Sequence, residues 1–167
     1  RVDRPHLLHC KRTGKYVCWI KLSGPEAAFT IWQADQLLGP YTMVENLYQP
    51  GGHKVGDFDL IADESTGAGS EVIGVQIHHT DQAVTNLAVG LLALDVDHLR
   101  AETEAAKSYP DLHPPFTREG PALFTVQGKR YMITSGMTGY VPNRSDSAIA
   151  DAWDVPFVSL GDPHEND

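Results

Sequence analysis

The chain has 167 residues, 41% of them hydrophobic and 21% charged, a balance that excludes a disordered segment and provides for one ordinary core. Its net charge of −9 repels phosphate backbones, so nucleic acid is not an expected partner. No apolar run approaches the roughly 20 residues of a membrane-spanning helix, so no membrane partner is expected either.

Taken in order, the chain opens Arg1-Val2-Asp3 without an initiator Met or a signal peptide, and is read as a mature or excised piece. Arg4-Pro5-His6-Leu7-Leu8-His9 leads through Thr13-Gly14-Lys15 into Tyr16-Val17-Cys18-Trp19-Ile20, which is the pattern of a hairpin. Cys10 and Cys18 flank its turn and read either as two small buried hydrophobes or as a cross-strand disulfide. Two cysteines are too few for a structural zinc site of their own. Gln49-Pro50-Gly51-Gly52-His53-Lys54 is a connection. Asp57-Phe58-Asp59-Leu60-Ile61-Ala62 then leads through Ser65-Thr66-Gly67 into Glu71-Val72-Ile73-Gly74-Val75, a second hairpin. His78 and His79 are adjacent, so on a strand they point to opposite faces and do not share an ion, Asp81 notwithstanding. Residues 97–107 are the best helix candidate, with Asp97 as N-cap. After the Pro-rich connection Tyr109-Pro110-Asp111-Leu112-His113-Pro114-Pro115 comes a third hairpin, Glu119-Gly120-Pro121-Ala122-Leu123-Phe124 through Gln127-Gly128-Lys129 into Arg130-Tyr131-Met132-Ile133-Thr134.

The three openings recur at roughly 54 and then 62 residues, counted from Asp3 to Asp57 and from Asp57 to Glu119. Ala34-Asp35-Gln36-Leu37-Leu38-Gly39-Pro40-Tyr41 also rhymes with Ala150-Asp151-Ala152-Trp153-Asp154-Val155-Pro156-Phe157. In Tyr16-Val17-Cys18-Trp19-Ile20 both alternating sets are apolar, as in a sheet covered on both faces. The expected fold is all-β: a partial β-propeller of about three four-stranded antiparallel blades in one domain, with units at 1–54, 55–115 and 116–167. Trp19, Trp32 and Trp153 read as core.

Each unit places an acid at its opening: Asp3, Asp57 and Glu119. Innermost strands of successive blades converge on one mouth of a propeller channel, where like charges raise one another's pKa. That environment suits a general acid, and inverting sugar hydrolysis uses such an acid with a base roughly 6.5–9.5 Å away. The same acids also read as strand-start caps or as ion-pair partners of Arg4 and Arg118.

The openings Asp3-Arg4-Pro5-His6, Gly56-Asp57-Phe58-Asp59-Leu60-Ile61 and Arg118-Glu119-Gly120-Pro121-Ala122-Leu123-Phe124 resemble those of glycoside hydrolase family 43. So do Gly39-Pro40-Tyr41 and, most specifically, Thr134-Ser135-Gly136-Met137-Thr138-Gly139-Tyr140-Val141-Pro142-Asn143, which is similar to the exo-β-1,3-galactanase-like branch. The resemblance implies an inverting, five-bladed propeller glycosidase acting on β-linked galactan or a related plant polysaccharide, here over about three blades. By it, Glu119 matches the general acid and Asp57 the carboxylate that tunes and orients that acid. Asp3 falls where the branch carries a Glu near the sugar; Thr138 and Asn143 lie in a substrate loop, and Tyr140 is a candidate to stack on a sugar ring. The matching general base would precede Arg1 or follow Asp167. No cofactor is expected, although the resemblance allows a calcium ion on the axis. It also implies an oligo- or polysaccharide partner and an extracellular or periplasmic location. The alternative is a non-catalytic carbohydrate-binding or assembly module built from the same blades. Bare apolar faces on the first and last blades imply self-association or a complementing chain.

Overall fold

The computed structural model describes residues 1–10, 13–49, 54–63, 70–78, 85–94, 99–100, 107–108, 118–136, 141–153, 155 and 157–164, with the strands within 62–118 described by their backbone. The described residues form thirteen strands and no helix. The first sheet is β1 (Val2–Cys10), β2 (Lys15–Leu22), β3 (Ala28–Ala34) and β4 (Thr42–Tyr48), hydrogen-bonded in chain order and antiparallel throughout. The second is β5 (Lys54–Asp63), β6 (Ser70–His78), β7 (Thr85–Leu94) and β8 (Leu99–Arg100), with β9 (Lys107–Ser108) also paired to β7. The third is β10 (Arg118–Val126), β11 (Lys129–Gly136), β12 (Ser145–Ala150) and β13 (Val158–Gly161). Three meandering sheets, each starting from a strand that meets its neighbour's first strand, make a partial propeller.

The hairpins form where turn chemistry permits them. Gln127 and Gly128 both have positive φ, 49° and 77°, the geometry of a two-residue type I′ turn joining β10 to β11. The rhyming Ala34 and Ala150 end the third strands of their sheets, so that repeat marks the same corner of each blade. The helix expected over 97–107 is a correction. Its described residues Leu99, Arg100 and Lys107 are in short strands pairing with β7, because sheet pairing overrides a short helical pattern.

Two hydrophobic clusters join the sheets. Cys10, Val17, Trp19, Phe29 and Ile31 of the first sheet pack with Val55, Phe58 and Leu60 of β5. Across this seam the Phe29 and Phe58 rings meet edge-on at 4.6 Å, and Trp19 lies 5.2 Å from Phe29. Each such buried aromatic contributes about 1.5–3 kcal/mol from burial, with a further ~0.5–1.5 for a well-oriented ring pair. On the other side Leu123, Met132, Ala148, Ala150, Trp153 and Phe157 of the third sheet pack with Ile61 of β5. The alternation Leu60–Ile61 thus feeds both seams, which explains the apolar character of both strand faces. Trp19 and Trp153 are fully buried core, as expected, and Trp32 is half-buried.

Both cysteines are free thiols, Cys10 buried and Cys18 half-buried. Register explains why the disulfide reading fails: Cys18 lies opposite Leu7, and Cys10 lies opposite Lys15.

The far faces of the first and third sheets carry apolar rows. One register line runs Phe124, Tyr131, Ile149, Val158 across the third sheet, with Phe124 and Tyr131 stacked at 5.3 Å and Phe124 and Val158 exposed. Its counterpart on the first sheet runs Leu7, Cys18, Trp32, Met43, with Leu7 and Met43 exposed.

Candidate functional site

The first strand of each sheet breaks its register close to the opening acid. The bulges fall between Asp3 and His6 in β1, between Val55 and Phe58 in β5, and between Glu119 and Ala122 in β10. A bulge leaves residues unpaired and re-aims the side chains beside it. The pairings on either side show which residues are equivalent: Asp3, Val55 and Glu119 hold the same place, while Asp57 sits inside its bulge, level with Pro5 and Pro121. The sequence alignment of Asp57 with the other two acids is therefore off by two residues. Bulge positions need no ladder N–H, which is why proline is tolerated at two of them.

The bulges of β1 and β10 share a left-handed residue, Arg4 with φ 50° and Gly120 with φ 58°. Gly120 is the residue suited to that conformation, and a Cβ there would also lie 3.3 Å from the Ser135 hydroxyl. Arg4 adopts it at a cost of about 1–2 kcal/mol.

That strained backbone delivers the Arg4 guanidinium to the second sheet. Arg4 Nη2 donates to Asp57 Oδ2 at 2.8 Å, and Lys21 Nζ of β2 donates to Asp57 Oδ1 at 3.0 Å. Asp57 is 17% exposed and Lys21 16%, so this pair is shielded, whereas Arg4 at 48% remains half in solvent. The ion-pair reading of Asp57 with Arg4 therefore holds, and the next carboxyl in the cluster is Glu119. Burial, then the nearby Asp57 carboxylate, push the Glu119 carboxyl above the ordinary glutamate range, while Arg4 and Lys21 pull it back.

Asp3 is held apart from this pair. Its Oδ2 accepts from Ser23 Oγ, and its Oδ1 takes Arg1 Nε at 2.9 Å. The Ser23 hydrogen bond, ahead of the Arg1 charge, holds its carboxyl below the ordinary aspartate range despite partial desolvation. Asp59, two residues beyond Asp57, joins the three first strands: Oδ2 accepts from Leu123 N of β10 at 2.7 Å, Oδ1 accepts from Leu60 N at 2.9 Å, and His6 Nδ1 of β1 lies 3.4 Å from Oδ1. The His6 ring packs tilted against Phe58, centroids 4.5 Å apart, and its desolvation lowers its pKa against the opposing pull of Asp59.

Asn143 lies at the same end of the third sheet as Glu119. Glu119 pairs in register with Ser135, and the next residue, Gly136, exchanges two 2.8 Å hydrogen bonds with the Asn143 amide, donating N–H to Oδ1 and accepting from Nδ2. Those bonds close the base of the loop that Asn143 ends. Thr138 and Tyr140 lie outside the described residues, as do His79 and Asp81. Arg118 stands in β10 opposite Gly136. Among the described residues no three His, Cys, Asp or Glu side chains gather as a metal-ligand set. Lys21 and Ser23 were not singled out from the sequence, because each acts on an acid distant in the chain.

No protein-family model and no curated protein matches the chain. Solved structures do. A β-1,3-galactosidase of glycoside hydrolase family 43 superposes with a TM-score of 0.79 at 21% identity, over 97% of this chain and 32% of its own. An exo-β-1,3-galactanase from Phanerochaete chrysosporium, solved with β-1,3-galactotriose, gives 0.76 at 18%, over 96% of this chain and 35% of its own. The exo-β-1,3-galactanase from Clostridium thermocellum gives 0.75 at 19%, over 97% and 36%. The chain thus has the fold of the family 43 glycoside hydrolase structures, as its motifs suggested, and spans about a third of the length of these three.

Proposed function

We propose that this chain is part of a family 43-type glycoside hydrolase that cleaves β-linked galactan, or a related plant polysaccharide, with inversion. The observation that supports this most is the pairing of Glu119 with Asp57. One carboxyl is pushed towards its protonated form; its neighbour accepts hydrogen bonds from two cations. Glu119 is the proton donor to the leaving oxygen. Asp57 orients it and, after burial, adds to the upward push on its pKa. An acid poised in this way contributes typically 10²–10⁴-fold to the rate. Asp3 is a substrate contact by the family resemblance of its position. The partner is an oligo- or polysaccharide, as the β-1,3-galactotriose in the Phanerochaete chrysosporium structure suggests for a related fold. The working location is extracellular or periplasmic.

A second reading is favoured by one observation. The other opening carboxylates, Asp3 and Asp57, are both engaged in ion pairs, and Asp59 is taken up by Leu60 N and Leu123 N, so none of the three is placed to activate water. On that reading the blades bind carbohydrate without cleaving it. On the first, the base faces Glu119 from a further sheet, supplied by a longer parent chain, a second copy or a complementing chain.

Hydrolysis of β-1,3-galactotriose and of aryl galactosides, arabinosides and xylosides decides between them. The enzyme reading expects turnover by the wild type and a loss of at least about 100-fold in Glu119→Gln. Equal rates in the two proteins would remove Glu119 from the mechanism. Sugar binding without turnover in either would leave the binding module.

A further inference from the structure

Asp57 has more cationic support than an orienting carboxylate requires, and it arrives from two strands of the neighbouring sheet. Arg4 comes from the β1 bulge, half exposed, and takes Oδ2. Lys21 comes from the end of β2, only 16% exposed, and takes Oδ1. A lysine has a long, flexible stem and a strongly hydrated head, so withdrawing it from water to meet one oxygen costs free energy unless the pair is well made. Register keeps it there. Lys21 stands opposite Asp3 in the β1–β2 ladder, where the β1 bulge begins, and opposite Phe29 on β3, a core residue that is fully buried. The lysine backbone is thus fixed between a site strand and the core, while its head reaches across the seam between sheets.

We propose that Lys21 is a positioning residue of the site: with Arg4 it clamps both oxygens of Asp57 and fixes the direction in which that carboxylate faces Glu119. The catalytic consequence rests on the reading of Glu119 as an acid, but the clamp itself does not. Two oxygens held by cations from two different strands leave the Asp57 carboxylate no free rotation about its last bond. Arg4 alone would hold one oxygen, from a backbone that already carries strain. Lys21 does not touch the reacting atoms; it acts through Asp57. Among the described residues, the charged and titratable groups facing this cluster are Arg1, Asp3, Arg4 and His6 of β1, Lys21 of β2, Asp57 and Asp59 of β5, and Glu119 of β10. Of these, Arg4 and Lys21 both draw the Glu119 carboxyl down, so removing Lys21 relieves that pull.

The test is a carbon-detected NMR titration of the Glu119 side-chain carboxyl, its resonance assigned by its loss in Glu119→Gln. It is read in the wild type, Lys21→Met, Lys21→Gln and Lys21→Arg, with thermal unfolding as the control for folding. Both neutral variants are expected to raise the Glu119 pKa by about 0.5 unit, a roughly threefold change in its ionisation constant. Lys21→Arg keeps the charge and is expected to keep the wild-type value. A Glu119 pKa unmoved in a folded neutral variant would overturn the proposal. So would failure of both neutral variants to fold, which would assign Lys21 to the fold. An ordinary Glu119 pKa in the wild type would instead count against the acid, whatever Lys21 does.

Discussion

Substituting Gly120 by alanine tests whether the β10 bulge sets the position of Glu119. Gly120 has φ 58°, where an L-residue carries about 1–2 kcal/mol of backbone strain relative to glycine. Loss of glycine's unfolded-state freedom returns about 0.4–1 kcal/mol. The new Cβ would meet the Ser135 hydroxyl at 3.3 Å, so Ser135 must turn, and its 3.3 Å bond to the Glu119 carbonyl goes with it. That bond is long and worth at most about 0.5–1 kcal/mol. The net expectation is a loss of about 1 kcal/mol. Urea unfolding with a shared m-value reads this as a lower midpoint. Arg4→Gly is the control, because Arg4 occupies the equivalent left-handed place. It releases about 1–2 kcal/mol of strain, loses a half-exposed ion pair worth about 0.2–1, and frees the unfolded chain. Its net effect is expected within about 0.5 kcal/mol of zero. A Gly120→Ala protein as stable as the wild type would refute the account, since it would mean that the bulge does not require a left-handed residue.

Two further outcomes follow from the same geometry. Because the folded-state pKa of Glu119 is raised, the native protein binds its proton more tightly than the unfolded chain does, and stability falls as pH rises from the ordinary glutamate range through the raised value. Glu119→Gln removes that loss: its melting temperature is expected to exceed the wild type's at pH 7 and to match it near pH 4, and equal shifts at both values would rule the explanation out. The apolar rows through Phe124 and Leu7 are expected to drive association, so light scattering at rising concentration should show species larger than 18.3 kDa, reduced by Phe124→Ser with Val158→Ser; a clean monomer throughout would contradict this.

The repeat was legible in the sequence because each unit carries its own turn chemistry and its own apolar alternation. Thr13-Gly14 and Gln127-Gly128 mark turns wherever they occur, and both-sided apolar strands such as Tyr16-Val17-Cys18-Trp19-Ile20 declare a sheet packed on two faces. The acids were legible as candidates, and Asp57 lies near enough to Glu119 to raise its pKa. Their equivalence was misread, because a bulge changes register by backbone conformation alone and leaves only a faint trace in residue types. Lys21 was invisible for a different reason. Its partner is 36 residues away in another sheet, and nothing local distinguishes it from a solvated lysine. The helical pattern over 97–107 misled because β7 offered its edge to Leu99, Arg100 and Lys107.

Asp59 gives the propeller a property that hydrophobic seams lack. Packed sheets tolerate small slides along their strands, since greasy contacts are non-directional. A hydrogen bond from Leu123 N to Asp59 is not tolerant in this way. Leu123 lies four positions beyond Glu119 on β10, and Asp59 two positions beyond Asp57 on β5. The bond therefore works as a height gauge between the two strands. A slip of one residue would carry Glu119 about 3.3 Å along the axis, far enough to part it from Asp57. The spacing of the acid and its neighbour is thus set by a contact outside the site, and the chemistry inherits its tolerance from that gauge.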